Sequence, residues 1–253
     1  MTRIDDKKAV LIIPCFNEDS RLQGQLISQF ISELGIDALF IDDGSTDRTV
    51  EMINALIVGK KDLFNKIGIH VSVLSIPKNV GKTNAIRTGL LCGSKQGYSH
   101  AIIQDIDFPY LSIDATNAIN LGLQKEEHTI ISGARVELAG SSVLRTPLRH
   151  WIGRTIATFI HIFITKNIYD PQSPCKVYNL NRVSPFLDSP FRTRWFGDLE
   201  LIIRIRNANE TISIFEFPLT YWRDLPDGAL GIRSSFKVIL ELCKLISIKT
   251  KFF

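Results

Sequence analysis

Three short apolar runs constrain the fold more than any other feature. Ala9-Val10-Leu11-Ile12-Ile13 is closed by Pro14. Ala38-Leu39-Phe40-Ile41 runs into Asp42-Asp43. Ala101-Ile102-Ile103 passes through Gln104 into Asp105-Ile106-Asp107. Continuous runs of this length, bounded by polar or turn residues, read as strands buried on both faces. Segments with helical spacing follow the first two runs, and strand, polar loop, helix, strand is the rhythm of a parallel sheet with right-handed crossovers. In open sheets of this kind ligands bind along the edge where the strands end. The acids after the three runs, with Glu18 after the first, are therefore expected to face one pocket.

The rhythm can be followed along the chain. Ser20 is placed to cap a helix carrying Leu22, Leu26, Ile27, Phe30, Ile31 and Leu34, which Gly35 ends. Val50, Ile53, Ala55 and Leu56 mark a second helix, and 69–76 alternates as a strand. A helix over 83–95 carries Gly89 and Gly93 four apart, which permits close packing on the sheet. Further helices are expected over 113–123 and 147–164, and strands over 129–132, 175–179 and 212–217. Trp195 to Glu200 opens a helix through Arg206, and 232–248 forms a last one with apolar residues at Phe236, Ile239, Leu240, Cys243 and Ile246 or Leu245. No linker or repeat interrupts this order, so the chain reads as one α/β domain over 1–230 and a basic amphipathic helix over 231–253.

Charge is uneven although the net value is only +4. From Leu138 to Tyr169 there is no acid, against Arg145, Arg149, Arg154 and Lys166. From Gly228 to Phe253 Glu241 alone opposes five bases. Bases interleaved with apolar residues suit a membrane surface or an anionic ligand; an ordinary solvated helix face is the alternative. The polar start, Met1 to Lys8, shows no signal peptide, and the apolar stretch between Arg154 and Lys166 is too short to span a bilayer. Four scattered cysteines without a CxxC read as reduced thiols of a cytosolic protein.

The acid-bearing loops carry the chemistry. Carboxylates after the first two strands suit hydrogen bonding to a nucleobase or to ribose hydroxyls. The pair Asp105 and Asp107 repels itself unless a cation joins it, and hard cations such as Mg²⁺ or Mn²⁺ prefer carboxylate and phosphate oxygens. The plain alternative is a turn with two solvated acids. No G-x-G-x-x-G follows the first strand and no G-x-x-x-x-G-K-[ST] occurs, which counts against dinucleotide enzymes and P-loop proteins.

Four motifs in order, Ile12 to Glu18, Ile41 to Asp47, Asn79 to Lys82 and Gln104 to Asp107, resemble those of the family 2 glycosyltransferases with the GT-A fold. Ser132 to Arg135, Asp170 to Gln172, Lys176, Trp195 to Glu200 and Glu216 to Trp222 are similar to the dolichyl-phosphate glucosyltransferase and polyprenyl-phosphate glycosyltransferase branch. The resemblance implies a single GT-A domain with a mostly parallel central sheet flanked by helices, plus a helical C-terminal extension. It implies an inverting hexosyltransferase using a nucleotide-sugar, with UDP favoured, and Mg²⁺ or Mn²⁺. Carried over by motif, Pro14, Phe16, Glu18, Asp42 and Asp43 would hold the nucleotide, and Asp105 and Asp107 the metal and diphosphate, Asp107 as a catalytic group. Lys82 is a candidate phosphate ligand, with a solvated helix base as the alternative. Arg135 and Arg149 match positions expected to face a lipid phosphate.

A polyprenyl or dolichyl phosphate acceptor is largely ionised at neutral pH and needs little help from a base. A sugar hydroxyl would need one, and Asp198 is then the catalytic candidate; a helix-start acid favoured by the dipole is its alternative role. A non-catalytic nucleotide-sugar-binding relative is the remaining reading. The branch usually carries a membrane anchor that is not seen here, so the basic stretches are expected to hold the chain peripherally at the cytoplasmic face of a membrane. No nucleic-acid partner is expected.

Overall fold

The computed structural model describes residues 8–144, 147–164, 168–223 and 240–248. The fully buried run Ala9–Cys15 forms β1 at the middle of a seven-stranded sheet. Around it lie β2 (Asp37–Asp42), β3 (Val71–Ser75), β4 (His100–Ile103), β5 (Ile130–Ala134), β7 (Lys176–Asn179) and β8 (Ile214–Pro218), in the order β3-β2-β1-β4-β7-β5-β8. All pairs are parallel except those of β7, which runs antiparallel between β4 and β5 with Lys176 opposite Ile103. Two short strands, β6 (Ser142–Leu144) and β9 (Tyr221–Arg223), form a separate parallel pair that the sequence pattern does not announce.

Helices cover both faces. They are α1 (Gly24–Leu34), α2 (Thr49–Gly59), α3 (Lys61–Ile67), α4 (Lys82–Lys95), α5 (Ser112–Gln124), α6 (Pro147–Phe163), the single turn α7 (Leu180–Val183) and α8 (Gly197–Asn207). Successive strand residues point to opposite faces, so β1 feeds two cores. Leu11 and Ile13 pack with Ile27 and Ile31 of α1 and Ile119 of α5. Val10 and Ile12 pack with Ala85 and Leu90 of α4 and with Leu199 and Ile203 of α8. Gly89 is what lets α4 lie this close, since a Cβ there would stand 2.6 Å from Ile12 Cγ2.

Two local expectations are corrected. Ser20 is not a helix cap: Arg21 and Leu22 N–H both donate to the Glu18 carbonyl in a turn, and α1 starts later, at Gly24, after an N-cap Gln23 that makes no side-chain cap bond. In the C-terminal stretch, 240–248 is helical and buries the expected Leu245, but its inward face is rotated away from the expected Leu240 and Cys243. Leu242, Leu245 and Ile248 are buried in the second core, whereas Leu240 and Cys243 are exposed. Burying Leu245 and Ile248 together with Glu241 sets the rotation, because helix positions three and four apart share a face. The expected apolar positions Phe236 and Ile239 lie outside the described residues.

Candidate active site

The carboxyl ends of β1, β2 and β4 bring their loops together. Asn17 N–H donates to Ser45 Oγ at 3.0 Å and Thr46 N–H to Asn17 Oδ1 at 2.9 Å, so the first two loops are stitched to each other. Glu18 N–H donates to Thr49 Oγ1 at 2.7 Å. Gly44, at φ 74°, lets the third loop close in: a Cβ there would stand 2.8 Å from Asn79 N. Asn17 also holds a positive φ of 53°, a conformation asparagine tolerates better than most side chains.

The nucleotide candidates fall in this cluster. Pro14 lies in β1 beyond its last pair with β4, Ile12 with Ile103, and Cys15 ends the strand. Phe16 is 41% exposed just after it. Asp42 and Asp43 are buried, and their carboxylates are spent on backbone amides. Asp42 Oδ1 accepts from Ser45 N at 3.0 Å. Asp43 accepts from Val80 N and Gly81 N, both at 2.8 Å. Asp43 thereby fixes the loop that launches α4 and Lys82. Glu18 is buried and paired with Arg21 at 2.7 Å. Burial raises its pKa, Arg21 opposes that, and the charges of Asp107 and Asp105 add to the rise.

Asp105 and Asp107 follow β4, which ends earlier than the sequence suggests, at Ile103. Lys82 Nζ reaches Asp105 Oδ1 at 2.6 Å. Desolvation pulls the Lys82 pKa down, but the charges of Asp105, Asp107 and Asp198 carry it above the ordinary lysine value. Asp107 Oδ1 is buried and has no hydrogen-bond partner among the described residues. Its carboxyl is pushed up first by burial and then by the Asp105 charge, with Lys82 working against both. Lys82, at the start of α4, thus feels three acids, Asp105, Asp107 and Asp198, and the acids outnumber the nearby cations.

Beside them lies a cavity of about 200 Å³ lined by Lys82, Asp105, Gln172, Lys176, Trp195 and Asp198, among others. Asp198 stands in the first turn of α8, where the helix dipole favours a carboxylate. Its Oδ2 accepts from Lys176 Nζ at 2.5 Å. Lys176 is buried and also donates to the carbonyls of Pro171 at 3.0 Å and Ser173 at 2.7 Å. Glu200, two residues further along in the same first turn of α8, accepts from Arg192 N, Thr193 N and Arg204, and so pins the loop that leads to Trp195.

The two arginines expected at an acceptor phosphate behave differently. Arg135 makes a two-point pair with Asp170, at 2.7 and 2.8 Å, and stacks on Trp222. Asp170 is held below the usual carboxylate range: burial raises it, but the Arg135 hydrogen bond and charge outweigh that. Arg149 belongs to α6, but its side chain lies outside the described residues. Lys176 and Gln172 received no role from sequence. A signal for Lys176 was present, because a lysine inside a short, otherwise apolar strand must find partners.

A family model described as Glycosyl transferase family 2 matches residues 10–179. Dolichyl-phosphate beta-glucosyltransferase of Dictyostelium discoideum is 24% identical over 243 residues, 92% of this chain and 71% of the relative. The protein of the same name from Saccharomyces cerevisiae is 25% identical over 258 residues, 94% and 74% of the two chains. Among solved structures, glucosyl-3-phosphoglycerate synthase from Mycobacterium tuberculosis, in complex with Mn²⁺, UDP-glucose and phosphoglyceric acid, matches with a TM-score of 0.62 at 15% identity, over 95% of this chain and 80% of that one. That likeness fixes the GT-A fold.

Proposed function

The chain belongs to glycosyl transferase family 2, and on that premise we propose that this glycosyltransferase moves a hexose from a UDP-sugar to a polyprenyl phosphate, with inversion and with Mg²⁺ or Mn²⁺ bound. The dolichyl-phosphate glucosyltransferases similar to it support the acceptor class. The observation that carries the reading is Asp107: a buried carboxylate oxygen without a partner, set beside Asp105. Burying a charge uncompensated is costly, and a hard divalent cation supplies the compensation that this donor set asks for. Among the described residues no group of three His, Cys, Asp or Glu side chains assembles for a metal. Two protein carboxylates with diphosphate oxygens are the donor set this reading uses. When bound, the metal offsets charge growing on the departing nucleoside diphosphate.

The chain's own residues do the rest. Glu18, Asp42 and Asp43, with Pro14 and Phe16, shape the nucleotide end. Asp43 acts through the loop it holds, and Lys82 is placed to turn from Asp105 to the phosphates. Asp198 already accepts from a buried ammonium. Its Oδ2 is committed to the pair, and parting a buried ion pair is costly. This favours an acceptor that arrives ionised, a phosphate, over a sugar hydroxyl. Arg135, paired with Asp170, then orients the acceptor loop, and Arg149 is kept as a phosphate ligand.

The membrane reading rests on α6. Trp151 is 71% and Ile162 60% exposed on a helix from the acid-free stretch. Among the described residues no helix is long and apolar enough to cross a membrane. We place the protein peripherally, with α6 against the lipid. UDP release from a UDP-sugar panel with Mn²⁺, with and without polyprenyl phosphate, tests the function. Turnover stimulated by the lipid phosphate is expected. Near-total loss in Asp198→Asn would move the assignment to a hydroxyl acceptor, while mild loss supports phosphate.

A further inference from the structure

Lys176 is a buried cation whose three bonds join two parts of the site. Its ammonium ties the Pro171 and Ser173 carbonyls, and hence the wall of the cavity, to Asp198 on α8. It stands on β7 opposite Ile103, the last residue of the strand that delivers Asp105 and Asp107. Asp198 gives Lys176 only Oδ2; among the described residues no hydrogen bond is recorded to Oδ1. Asp198 is part of the cavity lining together with Lys82 and Asp105. A carboxylate oxygen held by charge at such a wall is an acceptor for a hydroxyl group, and charge-assisted hydrogen bonds are the stronger kind.

We propose that Lys176 is the positioning residue of the sugar subsite: it locks Asp198 so that the remaining oxygen accepts a hydroxyl of the hexose being transferred. This deepens, and rests on, the UDP-sugar reading above. Lys176 does not touch the donor. It acts through Asp198 and through the Pro171–Ser173 turn, which its two other bonds keep in place.

Binding alone tests it, without any acceptor, using full-length protein, Mn²⁺ and two probes, UDP and UDP-glucose. The quantity read is the ratio of their dissociation constants in each variant. Lys176→Met is expected to bind UDP within about threefold of the parent and to lose roughly tenfold in that ratio, the order of one hydrogen bond to a charged group. Lys176→Arg, which keeps a donor, is expected to recover most of the loss. Asp198→Asn should give a similar loss, and the double variant no more than either single one, since the two side chains act as a unit. Parallel weakening of UDP and UDP-glucose would reduce Lys176 to a folding role and overturn the proposal. So would an unchanged ratio, or losses that add in the double variant. If the parent protein bound neither probe, the donor assignment itself would fall, a result distinct from all of these.

Discussion

Asp107 shows what a strained carboxylate means for stability. Its pKa is raised in the fold, as is that of Glu18, by burial first. A carboxyl whose folded pKa lies above its unfolded one favours folding most when protonated, and the advantage is lost as pH rises from the unfolded value through the folded one. At neutral pH the metal-free protein therefore bears the full cost. Asp107→Asn is expected to raise its thermal midpoint at pH 7.5 by roughly 2–4 °C, the effect of about 1 kcal/mol in a chain of this size. The gap to the parent should close as the pH is lowered, and differential scanning fluorimetry across pH reads it. The same variant should lose about 10²–10³ in transfer rate and all of the stabilisation that added Mn²⁺ gives the parent. Asp170 works with the opposite sign: held down by Arg135, it contributes stability that disappears as pH falls through its folded pKa. The acids were legible as a group because each ends an apolar run. What each oxygen does was not, because the amides that Asp43 accepts from are 37 and 38 residues away.

At the scale of elements, the two glycines of α4 were readable from their spacing, and the contact at Gly89 gives the reason. Gly89→Val forces side-chain branches into Ile12 and Ile41 and is expected to destabilise by about 1–3 kcal/mol, measured by denaturant unfolding, while UDP affinity at native conditions stays within twofold. Continuous apolar runs made the central strands easy to find, since β1 is buried at every position. The cap at Ser20 was misjudged because a carbonyl two residues earlier, at Glu18, draws the backbone into a turn first. The inner face of 240–248 was misjudged for a different reason. Its rotation depends on Glu241, a carboxylate buried to accept the Arg194 amide at 2.5 Å, and hydrophobic spacing carries no trace of that bond. Glu241→Gln should loosen the loop before α8 and lower the thermal midpoint. Lost protection of the Arg194 amide in hydrogen exchange would register it.

Across the whole molecule, 240–248 belongs to the fold. Leu242, Leu245 and Ile248 are each nearly buried, and full burial of such side chains stabilises by about 1.5–3 kcal/mol apiece as an upper range. Removal of 240–253 is therefore expected to cost several kcal/mol and to be seen as a large drop in urea midpoint. Flotation with anionic liposomes at low salt should be preserved in the intact protein and weakened by Trp151→Ser together with Ile162→Ser, since α6 carries the exposed apolar groups. Seven strands share the sheet, and one of them travels the other way. Because β7 enters where its neighbours leave, the segment ahead of it arrives at the catalytic rim as an approach, not a departure. On the proposed assignment, the donor half is made from exits and the recipient half from an inlet. Lengthening or recutting residues 170–174 is thus expected to alter the sugar and acceptor end of the site while the loops that grip the nucleotide stay as they are.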